Sequence, residues 1–374
     1  MPEYLYIHIP FCVGKCLYCD FLSIPFDEAL AERYVNALCG EMAMRKDSAG
    51  TLRTIYIGGG TPSILSDKLF STLFACLKAN FLFSSSAEIT VEANPGTMSG
   101  SAVRHMASLG VNRISMGAQS FDDDELRTLG RIHSSREAIL SAGLIRESGF
   151  ENFSLDLMYG IPGQTITTWR ETLSQAVSLR PKHISAYELT PEPGTRLYEL
   201  IGSGRLVMPD EDSIMEMLDA GLERLSSYGY EHYEISNYAL PGYRCQHNLN
   251  YWDRGKYIGL GAGAHSFSKD IRSQNLGDIT GYIECLERSE LPLEKSAPIG
   301  PEEAMREMIF LGLRKTEGMA LHTLAASGLD IPGCCADLLD EGYLRIKGNS
   351  LCFTQKGLAI SNELLVRIFG RLGL

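Results

Sequence analysis

Three cysteines near the N-terminus form the residue pattern in this chain that is best suited to chemistry. Cys12, Cys16 and Cys19 have a C-x3-C-x2-C spacing and directly follow the apolar segment 4–9. Three thiolates on one loop can bind three irons of a [4Fe–4S] cluster, because such clusters are held by cysteine thiolates. No fourth cysteine lies nearby in the sequence. We therefore expect one iron to stay open to an outside ligand, as in catalytic metal sites.

A zinc knuckle, or a chance group of buried cysteines, is the alternative interpretation. Structural zinc sites take four protein ligands. The only local residue that could supply the fourth is His8, which lies on the far side of Pro10 from the cysteines. The spacing therefore favours the iron–sulfur cluster.

The pattern Cys-x3-Cys-x-aromatic-Cys resembles the signature of the radical S-adenosylmethionine (SAM) superfamily. In that superfamily the open iron chelates the amino and carboxylate groups of SAM. An electron from the reduced cluster then cleaves the sulfonium to give a 5′-deoxyadenosyl radical. The flanking segments YIHIPFC (6–12) and YCDF (18–21) resemble one branch more narrowly. This branch contains oxygen-independent coproporphyrinogen III dehydrogenase and its haem-chaperone paralogues.

Composition indicates a globular protein with room for a barrel-sized domain and a smaller one. The chain has 374 residues, of which 44% are hydrophobic and 21% are charged. A net charge of −12 argues against non-specific nucleic-acid binding, which needs a positive field. No apolar run of about 18 residues and no secretory leader is visible. The ten cysteines show no disulfide-like spacing, which predicts a reducing, cytoplasmic location without an integral membrane anchor.

The first half of the chain alternates short apolar strands with amphipathic helices. Predicted strands are 4–9, 54–57, 88–92, 113–116, 153–158 and 183–187, and predicted helices are 26–45, 66–78, 99–109, 134–148 and 167–178. Such repeated units imply parallel strands with right-handed crossovers. Six units are fewer than the eight of a closed barrel. The sequence therefore predicts an α/β fold, a partial (β/α)6 TIM-like barrel, which the family resemblance also implies.

We expect three regions in the chain. Residues 1–190 form the barrel with the cluster loop, residues 191–299 extend it, and residues 300–374 form a winged-helix-like C-terminal domain. In the extension, aromatic alternation predicts one strand over 230–238. The last region shows three helices and a hairpin but no concentrated basic face, so no nucleic-acid role is expected. In the family this domain covers the barrel mouth.

Polar and glycine residues follow the predicted strands, at the end where parallel barrels bind ligands. Glycines 58–60 and Thr61 follow the second strand, Glu92 ends the third and Gln119 follows the fourth. Asp156 lies within the apolar fifth strand, where a carboxylate is costly unless it is paired. Each residue alone would more often be a structural partner than a ligand contact.

The family resemblance assigns roles to these positions. By resemblance to the dehydrogenase, Tyr6, Gly59 and Glu92 contact the cluster-bound SAM. The positions matching a second SAM site in that enzyme are Gly60, Thr61, Gln119, Arg131 and Asp156. Residue identity leaves open whether this chain binds a second SAM.

A second informative segment, CQHNLNYW, spans residues 245–252. The imidazole of His247, flanked by Tyr251 and Trp252, can ligate haem iron. A histidine hydrogen-bonded within an aromatic core is the alternative, and the residues alone favour it. The pattern H-N-x-x-Y-W resembles a motif of the haem-chaperone branch, which implies bound haem with His247 facing the iron. The segment 259–267 adds flexible glycines and another histidine, His265.

Two departures from the dehydrogenase pattern favour the chaperone branch. Phe21 stands where that pattern has a further cysteine, and only eleven residues precede Cys12. The resemblance to this branch therefore implies a haem chaperone that binds haem and delivers it to acceptor proteins, with respiratory enzymes as candidate acceptors and a homodimer as the candidate assembly. The alternative is oxygen-independent coproporphyrinogen III dehydrogenase. No catalytic residue is assigned.

Overall fold

The computed structural model describes residues 1–374, and its centre is a nine-stranded sheet. The first eleven strands are β1 (Tyr4–Ile9), β2 (Phe11–Cys12), β3 (Ile24–Pro25), β4 (Leu52–Gly59), β5 (Phe83–Ala93), β6 (Arg113–Gln119), β7 (Phe153–Tyr159), β8 (His183–Glu188), β9 (Glu231–Glu234), β10 (Asn237–Ala239) and β11 (Ile258–Leu260). The sheet order is β11-β1-β4-β5-β6-β7-β8-β10-β9. Each neighbouring pair from β11 to β8 is parallel. The last two pairs, β8–β10 and β10–β9, are antiparallel. The partial α/β barrel predicted from the sequence is confirmed.

Helices connect the parallel strands and cover the outside of the sheet. The helices of the barrel and its extension are α1 (Glu28–Arg45), α2 (Asp67–Asn80), α3 (Gly100–Leu109), α4 (Asp123–Thr128), α5 (Ser135–Glu147), α6 (Ile166–Ser178), α7 (Arg196–Gly202), α8 (Glu211–Ser227), α9 (Gln246–Trp252) and α10 (Ile279–Glu287). Several begin at polar caps of the expected kind; at α5, for example, Ser134 and Glu137 form a capping box. None of the helices is both long and apolar enough to cross a membrane.

Alternation along the strands separates an apolar outer face from a polar interior. On β1, Leu5, Ile7 and Ile9 are fully buried in a core of 57 residues shared with the helices. Tyr6 and His8 alternate with them and point to the other face. The interior of the barrel is therefore lined by the polar and aromatic members of each strand.

The sheet edge near β8 differs from the prediction. The single strand expected over 230–238 is wrong, because the chain reverses between Glu234 and Asn237 and forms the β9–β10 hairpin. Aromatic residues do alternate along both β9 and β10, but this pattern does not indicate the turn between the two strands. The reversal gives the sheet an antiparallel edge.

Two cysteines pair contrary to expectation. Cys39 on α1 and Cys76 on α2 form a disulfide, with Cα atoms 5.6 Å apart and 37 residues of sequence separation. The helices pack against each other and bring the two residues together, which spacing along the chain cannot reveal.

The remaining elements form a small sheet beside the barrel and a C-terminal domain. The small sheet is antiparallel and contains β12 (His265–Ser268), β13 (Ile271–Asn275) and β14 (Leu293–Pro298). The C-terminal domain contains α11 (Pro301–Gly312), β15 (Met319–Ala320), α12 (Leu321–Ala326), α13 (Ile331–Cys334), α14 (Ala336–Asp340), β16 (Leu344–Lys347), β17 (Ser350–Phe353), α15 (Gln355–Ala359) and α16 (Ser361–Leu372). This domain has its own core of 14 buried residues.

Polar contacts join the C-terminal domain to the barrel edge. The backbone N–H of Thr316 donates to the carbonyl of Tyr233 at 3.1 Å. Arg244 forms ion pairs with Glu317 at 2.5 Å and with Glu231 at 3.2 Å. The smaller domain is thus attached beside β9 through hydrogen bonds and exposed charges.

Candidate metal centre and cofactor cavity

The cysteine loop leaves the carboxyl end of β1 and is held by backbone hydrogen bonds. The short strands β2 and β3 pair across its base, where Ile24 N–H donates to Pro10 O at 2.8 Å. Leu17 N–H donates to Leu129 O at 3.0 Å and fixes the middle of the loop to the far side of the barrel mouth. The cysteine positions are therefore set by the scaffold.

All three thiols line one cavity of about 370 Å³ at the carboxyl ends of the strands. Cys12, Cys16 and Cys19 are half-buried and make no disulfide. Cys12 Sγ accepts a hydrogen bond from Thr61 Oγ1 at 3.5 Å, and Cys16 Sγ accepts one from Arg131 Nη1 at 3.3 Å. Donors aimed at sulfur orient the thiolates that ligate metal and tune their properties.

The donor set fits a multi-iron cluster better than a single zinc ion. No group of three histidine, cysteine or acidic side chains is arranged around one ion-sized point. His8, the only local candidate for a fourth zinc ligand, uses both ring nitrogens elsewhere. Its Nε2 contacts Leu22 O at 2.9 Å, and its Nδ1 contacts Tyr6 Oη at 3.1 Å. The loop therefore offers three thiols and no fourth protein ligand.

The glycines at the end of β4 let that strand end lie against β1 and the start of the cysteine loop. Gly59 has a φ of +107°, and a Cβ there would lie 2.4 Å from the His8 ring. A Cβ on Gly60 would lie 2.6 Å from Phe11 O. Side chains at these two positions are thus excluded by β1 and by the start of the cysteine loop, and both residues line the cavity.

Two carboxyl groups lie inside the barrel. Glu92 accepts hydrogen bonds from Tyr56 Oη at 2.8 Å and from Gly59 N–H at 3.0 Å, and burial raises the pKa of this carboxyl to about 7. Asp156 accepts from Ser115 Oγ at 3.2 Å, and burial raises its pKa as well. Both groups line the cavity and can accept hydrogen bonds from a polar ligand.

Gln119 and Arg131 complete the predicted set on the opposite wall. Gln119 has a φ of +66°, unusual for a residue other than glycine, and accepts a hydrogen bond from Tyr187 Oη at 2.8 Å. Arg131 donates from Nη2 to Asn94 Oδ1 and to Gly117 O, both at 2.6 Å. This network holds the guanidinium between the cysteine loop and the barrel wall.

Several buried polar atoms around the cavity have no partner in the protein. They are Nε of Arg131, Nε and Nη1 of Arg113, and Oδ1 of Asn237. Buried polar groups are normally hydrogen-bonded. These unpaired donors and this acceptor therefore fit a polar ligand such as SAM, whose amino-acid and ribose groups offer both functions.

The structure does not bring Tyr6 and Thr61 into the wall of this cavity. Tyr6 borders a neighbouring cavity behind the cysteine loop, and Thr61 is buried beneath Cys12, where it donates to the sulfur. In this structure the hydroxyl of Thr61 is directed at the Cys12 sulfur.

His247 lies within the barrel's aromatic interior. Its Nδ1 is 2.7 Å from Thr54 Oγ1, its Nε2 is 2.9 Å from Tyr251 Oη, and its ring stacks on Tyr56 with centroids 5.1 Å apart. Burial, and then the charge of Arg113, lower the pKa of this imidazole to about 3. Because both ring nitrogens are engaged and the side chain is buried, this geometry does not support the expectation that His247 faces haem iron.

Sequence reasoning missed several residues of the cavity wall. They are Tyr56, Asn94, Arg113, Ser185, Tyr187, Asn237 and Asn248. Strand alternation could have found some of them, because residues two apart on a strand point to the same face. Tyr56, for example, stands two residues before Gly58, and Ser185 stands two before Tyr187.

Comparison with known proteins assigns the class. Residues 6–176 match the model of the radical SAM superfamily, and residues 299–360 match the model of the HemN C-terminal domain. The coproporphyrinogen III oxidase HemN of Escherichia coli, a radical SAM enzyme, has a similar structure, with a TM-score of 0.84 over 98% of this chain and 90% of that chain at 22% identity. This chain is a radical SAM protein, which confirms the predicted [4Fe–4S] cluster and SAM as its cofactors.

Sequence relatives narrow the assignment. The chain is 37% identical to the haem chaperone HemW of Bacillus subtilis over 98% of this chain and 99% of that protein. It is 45% identical to HemW of Escherichia coli over 71% of this chain and 70% of that protein. It is 33% identical to HemW of Synechocystis over 100% of this chain and 97% of that protein. The chain belongs to the HemW family of haem chaperones.

Proposed function

We propose that this protein binds haem and transfers it to acceptor haem proteins. The observation that carries the proposal is the similarity to HemW of Bacillus subtilis, 37% identity over nearly the whole of both chains. Location in the cytoplasm, assembly as a homodimer and respiratory enzymes as acceptors belong to the same proposal.

The cysteine loop supports the cofactor part of the proposal. Cys12, Cys16 and Cys19 would ligate the cluster, while Thr61 and Arg131 orient two of the sulfurs. When bound, the cluster and SAM together supply reductive cleavage of the sulfonium.

The cavity wall would hold SAM. Gly59 and Glu92 line the same cavity as the three cysteines and offer a backbone surface and a carboxylate. Gly60, Gln119, Arg131 and Asp156 line the same cavity, so four of the five positions matching a second SAM site face the space where SAM would bind.

Two assays test the function. Haem titration of the wild-type protein should give saturable binding, and the loaded protein should transfer haem to an apo-haem protein in solution. Failure of both would contradict the proposal.

An anaerobic incubation with reductant, SAM and coproporphyrinogen III separates the chaperone from the dehydrogenase. We expect no protoporphyrinogen above the level of a Cys16→Ala control. Formation of protoporphyrinogen that depends on Cys16 would favour the dehydrogenase instead.

A further inference from the structure

A second cavity, of about 310 Å³, borders the cysteine loop and has aromatic walls. Tyr251 of the H-N-x-x-Y-W segment lines it together with Tyr6 and Tyr257. Phe21, immediately beyond the cysteines, also lines it and is 62% exposed. Two segments that stand out in the sequence thus meet at one apolar opening, which the cluster and SAM do not account for.

The one imidazole at this opening with free ring nitrogens is that of His265. The residue is exposed at the start of β12, and its side chain makes no hydrogen bond within the protein. His8 also lines the cavity, but both of its nitrogens are engaged. His247, which lies behind Tyr251, is engaged in the same way. Only His265 can offer a lone pair to a metal without breaking an existing contact.

Charge near His265 supports its role as a neutral ligand. Partial burial, followed by the positive charges of Arg272 and Lys295, lowers the pKa of the imidazole. The neutral form is the one that ligates metal.

The small sheet places a cation beside the imidazole. His265 pairs with Gln274, and Gln274 pairs with Lys295, so the three residues lie side by side across β12, β13 and β14. Directly paired residues point to the same face, and neighbouring strands are about 4.8 Å apart. Lys295 is therefore roughly 10 Å from His265 across the sheet. It has no ion-pair partner, and every residue of β14 is exposed.

We propose that haem docks at this opening, with its iron ligated by His265, its macrocycle against Tyr251, Tyr257 and Phe21, and a propionate near Lys295. The inference rests on the proposed function and specifies its site. An apolar wall, a free imidazole and an unpaired cation are the three features that recognise a metalloporphyrin carrying carboxylates.

The location has a consequence for how haem is held. A volume near 310 Å³ is at the low end for ligand pockets, which are about 300–1,000 Å³, so part of the macrocycle stays exposed. Partial exposure suits a ligand that is passed to another protein. The site also borders the cysteine loop through Asp20 and Phe21, which brings the macrocycle close to the cluster.

Haem titration of four proteins tests the site. The wild type should show the optical and EPR spectrum of histidine-ligated haem. His265→Ala should lose that spectrum and bind haem at least tenfold more weakly. Lys295→Glu should weaken binding several-fold and leave the ligation spectrum unchanged. His322→Ala, which removes an exposed histidine of the C-terminal domain, is the matched control and should behave like the wild type.

The outcomes separate the site from the function. If the wild type binds haem and His265→Ala binds it with the same affinity and spectrum, the site is wrong and the proposed function stands. If the wild type binds no haem, both are contradicted. Circular dichroism of each variant confirms folding, and recovery of a histidine-like spectrum when imidazole is added to His265→Ala would support the assignment.

Discussion

Glu92 illustrates, at the scale of one residue, how the barrel interior alters ordinary side-chain chemistry. Burial raises its pKa to about 7, although Tyr56 and the Gly59 N–H stabilise the charged form. Desolvation therefore outweighs two hydrogen bonds. A carboxyl group poised near neutrality can bind a ligand group either as an acceptor or, when protonated, as a donor.

The raised pKa of Glu92 predicts how stability depends on pH. A carboxyl group whose pKa is higher in the folded state favours folding while protonated, and this contribution is lost as the pH rises from about 4.5 to about 7. Glu92→Gln should remove this loss. Between these two pH values, the difference in free energy of unfolding, variant minus wild type, should therefore rise by up to about 1.4 kcal/mol per pH unit.

Urea unfolding of wild type and Glu92→Gln between pH 4.5 and 8 measures this difference. Glu363→Gln, at an exposed helical position, reports the effect of the substitution itself. Parallel pH profiles for wild type and Glu92→Gln would show that the pKa of Glu92 is not raised.

At the scale of elements, the end of β4 must lie against β1, at the base of the cysteine loop, without a side chain. Gly59→Ala would place a Cβ 2.4 Å from the His8 ring at a φ of +107°. We expect a loss of about 2–4 kcal/mol in the free energy of unfolding, from backbone strain and overpacking. The same substitution should displace the cysteine loop and lower cluster occupancy.

Gly40→Ala is the matched control for Gly59→Ala. Gly40 lies within α1, and a Cβ there meets nothing within 4 Å. The substitution should raise the free energy of unfolding by up to about 1 kcal/mol, because alanine favours helix more than glycine does. Equal effects of the two substitutions in denaturant titrations would contradict the packing described for β4.

Helix α9 places His247 in the barrel, where it contacts strands β1 and β4. His247→Ala would leave the hydroxyls of Thr54 and Tyr251 without their partner and would open a cavity beside Tyr56. We expect a loss of about 2–4 kcal/mol in the free energy of unfolding. His322→Ala, at an exposed position, should change it by less than about 0.5 kcal/mol. A His247→Ala protein as stable as the wild type would contradict the structural role of this histidine.

The regular elements could be predicted from the sequence, whereas contacts between distant segments could not. Strand β1 is as predicted, and β7 and β8 extend one residue further, because their apolar runs have clear ends. The parallel addition of β11 to β1 carries no local signal, since it depends on a segment about 250 residues away.

The site shows the same division. The three cysteines, and the polar and glycine residues after each strand, were identifiable because each of these motifs directly follows a predicted strand. Thr61 was predicted as a ligand contact, and in the structure it is buried behind Cys12. The sequence does not show whether a residue after a strand lies at the cavity surface or beneath it. His247 was ambiguous for the same reason, because an imidazole that binds metal and one that packs in a core look alike in sequence.

At the scale of the whole molecule, two cores of unequal size are joined by polar contacts. The barrel core contains 57 buried residues and that of the C-terminal domain contains 14. Exposed ion pairs such as Arg244–Glu317 contribute little stability. We therefore expect the C-terminal domain to unfold at lower denaturant concentration than the barrel.

The two tryptophans can report on this order. Trp169 is fully buried in the barrel core, whereas Trp252 lies beside Arg314, near α11. In Trp169→Phe the remaining Trp252 reports on the contact with the C-terminal domain, and in Trp252→Phe the remaining Trp169 reports on the barrel. The fluorescence of Trp169→Phe should therefore show a lower urea midpoint than that of Trp252→Phe. Far-UV circular dichroism checks that the two variants unfold alike. Coincident midpoints would show that the two domains unfold as one unit.

The most direct test is EPR spectroscopy of the anaerobically reconstituted and reduced protein, recorded with and without SAM. We predict a [4Fe–4S] signal that changes when SAM is added, is lost in Cys16→Ala and persists in Cys334→Ala, which removes an exposed thiol of the C-terminal domain. A protein without this signal, or a Cys16→Ala variant that keeps both the signal and its response to SAM, would contradict a cluster held by three cysteines with one iron open to SAM.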